Sequence, residues 1–328
     1  MDSHPTDTDS ADLTTAAAAV VADLFGSVVR TSERVNRGMM TFKYRVRTER
    51  GDDVMVRFYP TGRSSVVRQE PDLVTRCKEA GLPVPVVIGD SRSGPPAPLD
   101  YMVYSRIAGE TLADSLPNLD ETQLKRLATD LARHLRHLQK VTIKGAGDLV
   151  SGTAAGETSW ETFVTHSMKL GLDAVRKHAL LAPSLASALE RAVQAGPPAP
   201  VRLTGRLVWG DINFENILVT ENATVAGLID FEGCLSGDPL ATLGYCHAAQ
   251  GTSPFFRILL RVWPAFVSER HAWVAWYALL RALRLARYAH LALPTGRPRD
   301  PLVRIVPGIV SAISTLDPKS HLSPLGKQ

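Results

Sequence analysis

The spacing of hydrophobic residues predicts strands in the first third of the chain. Apolar and polar side chains alternate over residues 40–47 and again over residues 53–59. This two-residue period is typical of strands with one buried face. The segment between them contains Gly51 and is expected to form a tight turn. Further strands are expected at residues 27–30 and Tyr101–Tyr104, and helices at Asp12–Leu24 and Val66–Ala80.

A helical period replaces the strand period after residue 105. Leu119–Gln139 carries apolar residues at positions 124, 127, 131, 135 and 138, which predicts a strong helix. Glu157–Ala195 and most of the chain after Pro239 are also expected to be helical. Two short strands, Ile217–Thr220 and Val225–Phe231, are expected to form a hairpin between these helical regions. A β-rich part therefore precedes a helix-rich part, which predicts the α+β class.

Composition and charge narrow the function classes. The 328 residues are 45% hydrophobic and 21% charged, and the net charge is 37 − 33 = +4, which does not suggest a nucleic-acid partner. The most apolar stretch, His271–Leu293, is interrupted by three arginines, so we expect an amphipathic helix and no membrane span. The start of the chain lacks the pattern of a signal peptide. With three cysteines and no Cys-x-x-Cys pair, the sequence predicts a cytoplasmic protein.

The strongest chemical signal is a pair of motifs around the expected hairpin. Trp209–Asn216 reads Trp-Gly-Asp-Ile-Asn-Phe-Glu-Asn, and Asp230 follows at the end of an apolar run. Phosphoryl transfer needs a carboxylate beside the attacking hydroxyl, together with an amide and a second carboxylate that bind Mg²⁺. Asp211 is the candidate catalytic base, and Asn216 and Asp230 are the candidate magnesium ligands. Turn and cap residues are the alternative interpretation of each motif alone.

Upstream residues supply candidate partners for a nucleotide. Arg57, on the strand 53–59, could bind the α- and β-phosphates, and Glu70 on the next helix could hold it in place. Unpaired surface residues are the alternative. The turn at 36–41, with Gly38 as its one glycine, could cover phosphates with backbone N–H groups, although the residues alone favour a plain hairpin turn. Ser105 and Ile107 could present a C=O and an N–H to an adenine edge, or simply connect two domains.

With these residues in place, the chain resembles the aminoglycoside phosphotransferase and choline kinase-like family, which is related to the protein kinases. The similarity covers roughly residues 27–290, and Leu207–Tyr245 is its most specific part, including a Gly-Asp-Pro at 237–239. It implies a bilobal protein kinase-like fold with a small β-rich N-terminal lobe and a larger helical C-terminal lobe. The expected division is a disordered N-terminus (1–12), a nucleotide-binding lobe (13–104), a hinge (105–109) and a catalytic and substrate-binding lobe (110–328).

The resemblance also assigns roles and exposes departures. It places Asp211 at the catalytic position, Asn216 and Asp230 at the magnesium positions, and Ser105 and Ile107 at the hinge contacts. Four residues differ from the family pattern: Trp209 replaces a histidine, Arg57 replaces the phosphate-binding lysine that pairs with Glu70, Glu232 replaces a glycine, and Thr242 stands where a structural aspartate is common. None of them removes a group that the chemistry requires.

The expected activity is transfer of the γ-phosphoryl group of ATP, with Mg²⁺, to an alcohol on a small molecule such as an antibiotic or a biosynthetic intermediate. GTP stays open as the donor. After Leu240 the chain has three acidic residues against eleven lysines and arginines, which favours a neutral or anionic acceptor over a polycationic one. Two other functions are compatible with the sequence. One is phosphorylation of Ser or Thr in a ribosomally made peptide, and the other is a non-catalytic nucleotide-binding scaffold.

Overall fold

A five-stranded antiparallel sheet forms the first part of the computed structural model. The structure describes residues 7–37, 40–150, 153–154, 159–198, 205–263, 268–287 and 301–316. The sheet order is β1-β2-β3-β5-β4. The elements of this part are α1 (Asp7–Phe25), β1 (Val29–Val35), β2 (Phe42–Thr48), β3 (Asp53–Tyr59), α2 (Ser64–Val67), α3 (Glu70–Glu79), β4 (Val87–Asp90) and β5 (Asp100–Ser105).

The alternating pattern of β2 gives this sheet two different faces. Phe42, Tyr44 and Val46 are buried against α1, whereas Lys43 and Arg45 lie on the opposite face. The strands expected at 40–47, 53–59 and 101–104 are thus confirmed. The edge strand β1 is longer than the predicted 27–30, because its polar sequence gives no hydrophobic alternation.

Two predictions about helices in this part were wrong. Helix α1 begins at Asp7, so the part of the expected disordered N-terminus that the structure describes is helical. The single helix expected at Val66–Ala80 is two helices, α2 and α3, with a break at Arg68 and Gln69. Pro71 explains the break, because it has no N–H to donate to the Val67 carbonyl, whereas a proline is tolerated in the first turn of a new helix.

Helices dominate the second part of the chain. Small sheets accompany them, in the orders β11-β10-β6 and β8-β7-β12-β9. The elements are β6 (Glu110–Thr111), α4 (Leu112–Ser115), α5 (Glu121–Leu138), β7 (Gly147–Val150), β8 (Thr153–Ala154), α6 (Trp160–Lys177), α7 (Pro183–Gln194), β9 (Arg206–Val208), β10 (Ile217–Val219), β11 (Val225–Leu228), β12 (Leu235–Gly237), α8 (Leu240–Gln250), α9 (Pro254–Val262), α10 (Ser268–Ala286) and α11 (Pro301–Leu316).

Helix α10 lies at the centre of the helical part. It packs against α6, α8 and α11, so Trp273–Leu280 are buried on all sides. The amphipathic helix expected over 271–293 is therefore a core helix over this stretch. Its aromatic residues belong to the core, and Arg281 follows them toward the junction with the sheet. Within the described residues, no helix combines the length and the apolar character that crossing a membrane requires.

Candidate active site

The loop after β9 is shaped by local hydrogen bonds. The Asn213 side-chain oxygen accepts from the N–H groups of Glu215 and Asn216 at 2.8 and 3.2 Å, which caps a single 3₁₀ turn over Phe214–Asn216. Gly210 permits the entry into this loop, because a Cβ at that position would overlap the carbonyl oxygen of Gly233. The loop therefore presents Asp211 and Asn216 from a fixed backbone.

Asp211 and Asn216 contact each other directly. Asn216 Nδ2 donates to the backbone oxygen of Asp211 at 2.9 Å and to its carboxylate at 3.2 Å. The other carboxylate oxygen of Asp211 accepts from Arg281 at 2.9 Å. The Asp211 side chain is 37% exposed at the mouth of the cleft between the two parts of the chain. A carboxylate fixed on two sides and open on the third has the geometry of a general base.

Trp209 links this loop to Asp230. Its indole N–H donates to the Asp230 carbonyl at 2.9 Å, and its ring stacks on Phe231 at 5.2 Å between centroids. The backbone N–H of Trp209 donates to the Thr242 hydroxyl at 3.1 Å. Asp230 has a φ of 69°, a strained left-handed conformation for a residue with a side chain. Two of the departures from the family pattern, Trp209 and Thr242, thus support the backbone around Asp230.

A buried ionic network connects β3 and α3 to Asp230. Arg57 donates to both carboxylate oxygens of Glu70 at 2.8 and 3.0 Å, and it lies 3.0 Å from Asp230 Oδ2. The Tyr59 hydroxyl and the Phe231 N–H also donate to Glu70, at 2.6 and 3.2 Å. The side chains of Arg57 and Glu70 are 2% and 1% exposed. Arg57 and Glu70 therefore pair as the sequence predicted, and they are far from the surface.

Burial and neighbouring charges together set the pKa values of three acidic groups in the cleft. Burial alone would raise the pKa of Asp230, but Arg57 and Lys43 outweigh it and lower the pKa to about 2. Burial and the charge of Asp230 raise the pKa of Glu232 to about 7. Burial also raises the pKa of Asp211, and Arg281 opposes the rise. Asp230 is thus fully ionised at neutral pH, as a metal ligand must be.

Several charged residues in the cleft were not anticipated. Lys43 on β2 lies 3.4 Å from Asp230, and Arg63 lies 3.1 Å from Glu232. Arg281 contacts Asp211, and Arg284 lies 2.5 Å from Asp148 on β7. The pairing of β2 with β3 could have revealed Lys43, because it is directly opposite Arg57. No local sequence signal points to the contact of Arg281 with Asp211, which is 70 residues earlier in the chain.

The structure shows what the predicted hinge residues Ser105 and Ile107 contact. Ser105 is fixed by a backbone and a side-chain hydrogen bond to Val86, at 2.8 and 2.9 Å. The side chain of Ile107 packs over Gly227, where a Cβ would overlap it. Contact of these residues with adenine stays a prediction. Gly38 lies outside the described residues, and its neighbour Arg37 pairs with Asp114 on α4 at 2.8 Å.

The donor set around Asp230 fits Mg²⁺ bound together with phosphates. Within the described part of the chain, no group of three or more His, Cys, Asp or Glu side chains converges to hold a metal ion by itself. Mg²⁺ commonly takes one or two protein ligands and fills its other positions with water and substrate phosphates. Asp230 offers an ionised carboxylate, and the amide of Asn216 offers an oxygen while its nitrogen binds Asp211.

Comparison with known proteins gives a family and a fold. The model of the phosphotransferase enzyme family matches residues 33–285. A mutant aminoglycoside phosphotransferase APH(4)-Ia, crystallised with ADP and hygromycin B, is 15% identical with a TM-score of 0.69, covering 93% of this chain and 99% of that one. The structure of a protein from Thermobifida fusca YX-ER1, described as a putative fructosamine-3-kinase, is 15% identical with a TM-score of 0.60. The match covers 91% of this chain and 98% of that one.

A third solved structure, the GDP complex of an aminoglycoside 2′-phosphotransferase-IIIa mutant, is 16% identical with a TM-score of 0.57 and covers 83% of this chain and 91% of that one. No curated protein sequence matches the chain. The structural likenesses confirm the bilobal kinase-like fold, and the family match spans most of the chain. The chain therefore belongs to the phosphotransferase enzyme family, and the enzyme class expected from its sequence, a phosphotransferase with an alcohol group as acceptor, is confirmed.

Proposed function

We propose that the protein transfers the γ-phosphoryl group of ATP to a hydroxyl of a small molecule, with Asp211 as the catalytic base. The placement of Asp211, Asn216 and Asp230 beside one another carries this proposal. Asn216 donates to the Asp211 carboxylate, and its backbone oxygen accepts from the N–H of Ile229, the residue before Asp230. As the acceptor oxygen bonds to phosphorus and the bond to the ADP oxygen breaks, Asp211 takes the hydroxyl proton. Asn216 orients the Asp211 carboxylate through its amide N–H.

The residues proposed for the metal are Asp230 and Asn216, and Mg²⁺ bound there would neutralise the phosphate charge. Arg57 pairs with the Asp230 carboxylate, and the indole N–H of Trp209 donates to the Asp230 carbonyl, so the position of Asp230 does not depend on a bound ion. Such preorganisation favours transition-state stabilisation, because little rearrangement is needed when charge develops. Solved structures of similar fold contain ADP or GDP, so ATP is compared with GTP in the test below.

The proposed acceptor is neutral or anionic. Two arginines on α10 face the Asp211 side of the cleft: Arg281 lies over the Tyr245 ring at 5.4 Å, and Arg284 lies over the Phe163 ring at 5.0 Å. Arg284 pairs with Asp148, whose side chain is 55% exposed. A polycationic acceptor would meet these two guanidinium groups, whereas an anionic one would be attracted.

The test is a phosphoryl-transfer assay read by mass spectrometry, with Mg²⁺ and either ATP or GTP. The acceptor panel contains neutral sugars, sugar acids and hygromycin B as the polycationic arm. We expect a product one phosphoryl group heavier from a neutral or anionic acceptor. Asp211→Asn should slow its formation by roughly a hundredfold or more, because the general base is lost.

The matched control is Asp72→Asn, which removes an exposed carboxylate that pairs with Arg92 on the surface. It should leave the rate unchanged, and nucleotide binding should survive in both variants. A product formed at the wild-type rate by Asp211→Asn would contradict the proposed base. Turnover of hygromycin B in preference to the other acceptors would contradict the proposed charge class.

A further inference from the structure

Two cations on the cleft face of the sheet, Lys43 and Arg57, have different surroundings. We propose that Lys43 is the residue that binds the β- and γ-phosphates of the donor nucleotide, and that Arg57 is a positioning residue for Glu70 and Asp230. This inference rests on the proposed function, since it assumes a nucleotide in the cleft. It differs from the role that the family pattern gives to residue 57.

Both terminal nitrogens of Arg57 are already bound to carboxylates. One terminal nitrogen donates to both Glu70 oxygens and to Asp230 at 3.3 Å, and the other lies 3.0 Å from Asp230. Its Nε is buried and has no partner among the described residues. Only 2% of the side chain is exposed. A phosphate could reach this guanidinium only by breaking a buried ion pair, which is strongly unfavourable.

Lys43 has fewer protein partners than Arg57. It lies directly across from Arg57 in the pairing of β2 with β3, so both side chains leave the sheet on the same face. Its ammonium group carries three N–H donors, and its one acceptor in the described part of the chain is Asp230, at 3.4 Å. That distance is at the long end for a charge-assisted hydrogen bond, which is usually 2.7–2.9 Å.

The charge balance of the cluster also favours a phosphate at Lys43. Two cations placed directly opposite each other repel, so this arrangement requires compensating anions. Glu70 is occupied by Arg57 and Tyr59, which leaves Asp230 as the anion that both cations share. A metal ion on Asp230 would compete with Lys43 for the same carboxylate. A nucleotide phosphate beside that ion is then the acceptor that satisfies the ammonium group.

The position next to Asp230 indicates which phosphates are involved. In phosphotransferases the metal ion bridges oxygens of the β- and γ-phosphates. A lysine beside the metal-binding carboxylate therefore lies near those two groups rather than near the α-phosphate. Loss of Lys43 should consequently weaken the binding of ATP and ADP, while the binding of AMP should change little.

The experiment is calorimetric titration of AMP, ADP and ATP, with Mg²⁺, into the wild-type protein and four variants. Lys43→Met should weaken ADP and ATP roughly tenfold or more, as expected for one charge-assisted hydrogen bond. Lys43→Arg should restore part of this affinity. Arg45→Met is the control, because Arg45 lies on the same face of β2 but is paired with Asp53 at 2.6 Å. It should bind all three nucleotides as the wild type does.

The melting temperatures of the free proteins provide a second readout. Lys43→Met should melt close to the wild type, whereas Arg57→Lys should melt lower, because it loses the bidentate contact with Glu70, and should lose less ADP affinity than Lys43→Met does. Equal affinity of Lys43→Met and wild type for ADP and ATP would overturn the assignment, and so would an equal loss for AMP. A wild-type protein that binds no nucleotide would overturn the proposed function together with this assignment.

Discussion

The two sides of the cleft are built in different ways. On the donor side, Arg57, Glu70 and Asp230 form a buried network in which each charge has at least one partner. On the acceptor side, Asp211 and Arg281 form a pair whose side chains are 37% and 21% exposed. The donor side is rigid before any ligand binds, and the acceptor side consists of pairs that a substrate can displace. Kinases share the nucleotide donor, whereas the acceptor differs from one enzyme to another. A fixed donor site and an adaptable acceptor site are consistent with this difference.

The largest effect is expected on the donor side, from Glu70→Gln. The substitution leaves the buried guanidinium of Arg57 with half of its compensating charge, which should lower the free energy of unfolding by about 3 kcal/mol. Thermal unfolding measures the loss, and ADP affinity should fall with it. Glu121→Gln is the matched control, because Glu121 pairs with Lys125 on the exposed surface of α5. Equal melting temperatures for both variants would contradict a structural role for the donor network.

A buried histidine among the helices next to the acceptor side is expected to make the folded protein less stable in acid. His247 on α8 is buried against α11, where it contacts the Ser311 hydroxyl at 3.0 Å, and burial and the nearby His271 lower its pKa to about 4. The unfolded chain takes up this proton near pH 6.5, and the folded chain does so only near pH 4. Acidification through this window therefore favours the unfolded state.

We expect a stability loss of about 2 kcal/mol between about pH 7.5 and pH 5 from this group alone. His247→Gln should flatten the dependence of the melting temperature on pH, while the exposed His166→Gln should not. Asp230 stays ionised across this range. Glu232, whose pKa is raised to about 7, takes up its proton more readily in the folded chain and so acts in the opposite direction, which is why each variant is compared with the wild type at the same pH. A His247→Gln protein with the wild-type acid profile would show that the sensitivity arises elsewhere.

A smaller and more selective effect is expected from Arg281→Gln on the acceptor side. If Arg281 attracts an anionic acceptor, its loss should raise the KM for that acceptor about tenfold, the size of one exposed charge-assisted contact. Calorimetric ADP affinity should not change, because Arg281 does not touch the donor network. Arg257→Gln, on the exposed surface of α9, should change neither value. A fall in ADP affinity equal to the rise in KM would remove the distinction between the two sides.

The smallest effect is expected from Trp209→Phe. Phenylalanine can keep the stacking on Phe231, but the Asp230 carbonyl loses its indole donor. The cost should be about 1 kcal/mol in unfolding free energy, the usual net value of one hydrogen bond. Trp276→Phe removes a buried indole whose N–H has no partner in the described part of the chain, so it reports the change in packing alone. The loss of unfolding free energy should be larger for Trp209→Phe than for Trp276→Phe by about the contribution of the hydrogen bond.

Much of the site could be predicted from the sequence because its signals are local. Asp211, Asn216 and Asp230 flank one hairpin, and Arg57 and Glu70 are 13 residues apart in the chain, so the strand and helix patterns bring them together. Arg281 could not be identified in this way. It lies 70 residues after Asp211, and Arg284 lies 136 residues after Asp148. Such pairs depend on how the helices of the second part pack, which hydrophobic periodicity does not specify.

The stacked pair of Trp209 and Phe231 has a consequence for how the chain can diverge. A smaller residue at 209 would leave a void beneath Phe231 and deprive the Asp230 carbonyl of its donor, so a single exchange disturbs two segments at once. Thr242 is tied to the same tryptophan through its hydroxyl. Positions 209, 231 and 242 should therefore be exchanged together among descendants of this chain, as one inherited unit, while Asp211 between them stays the same.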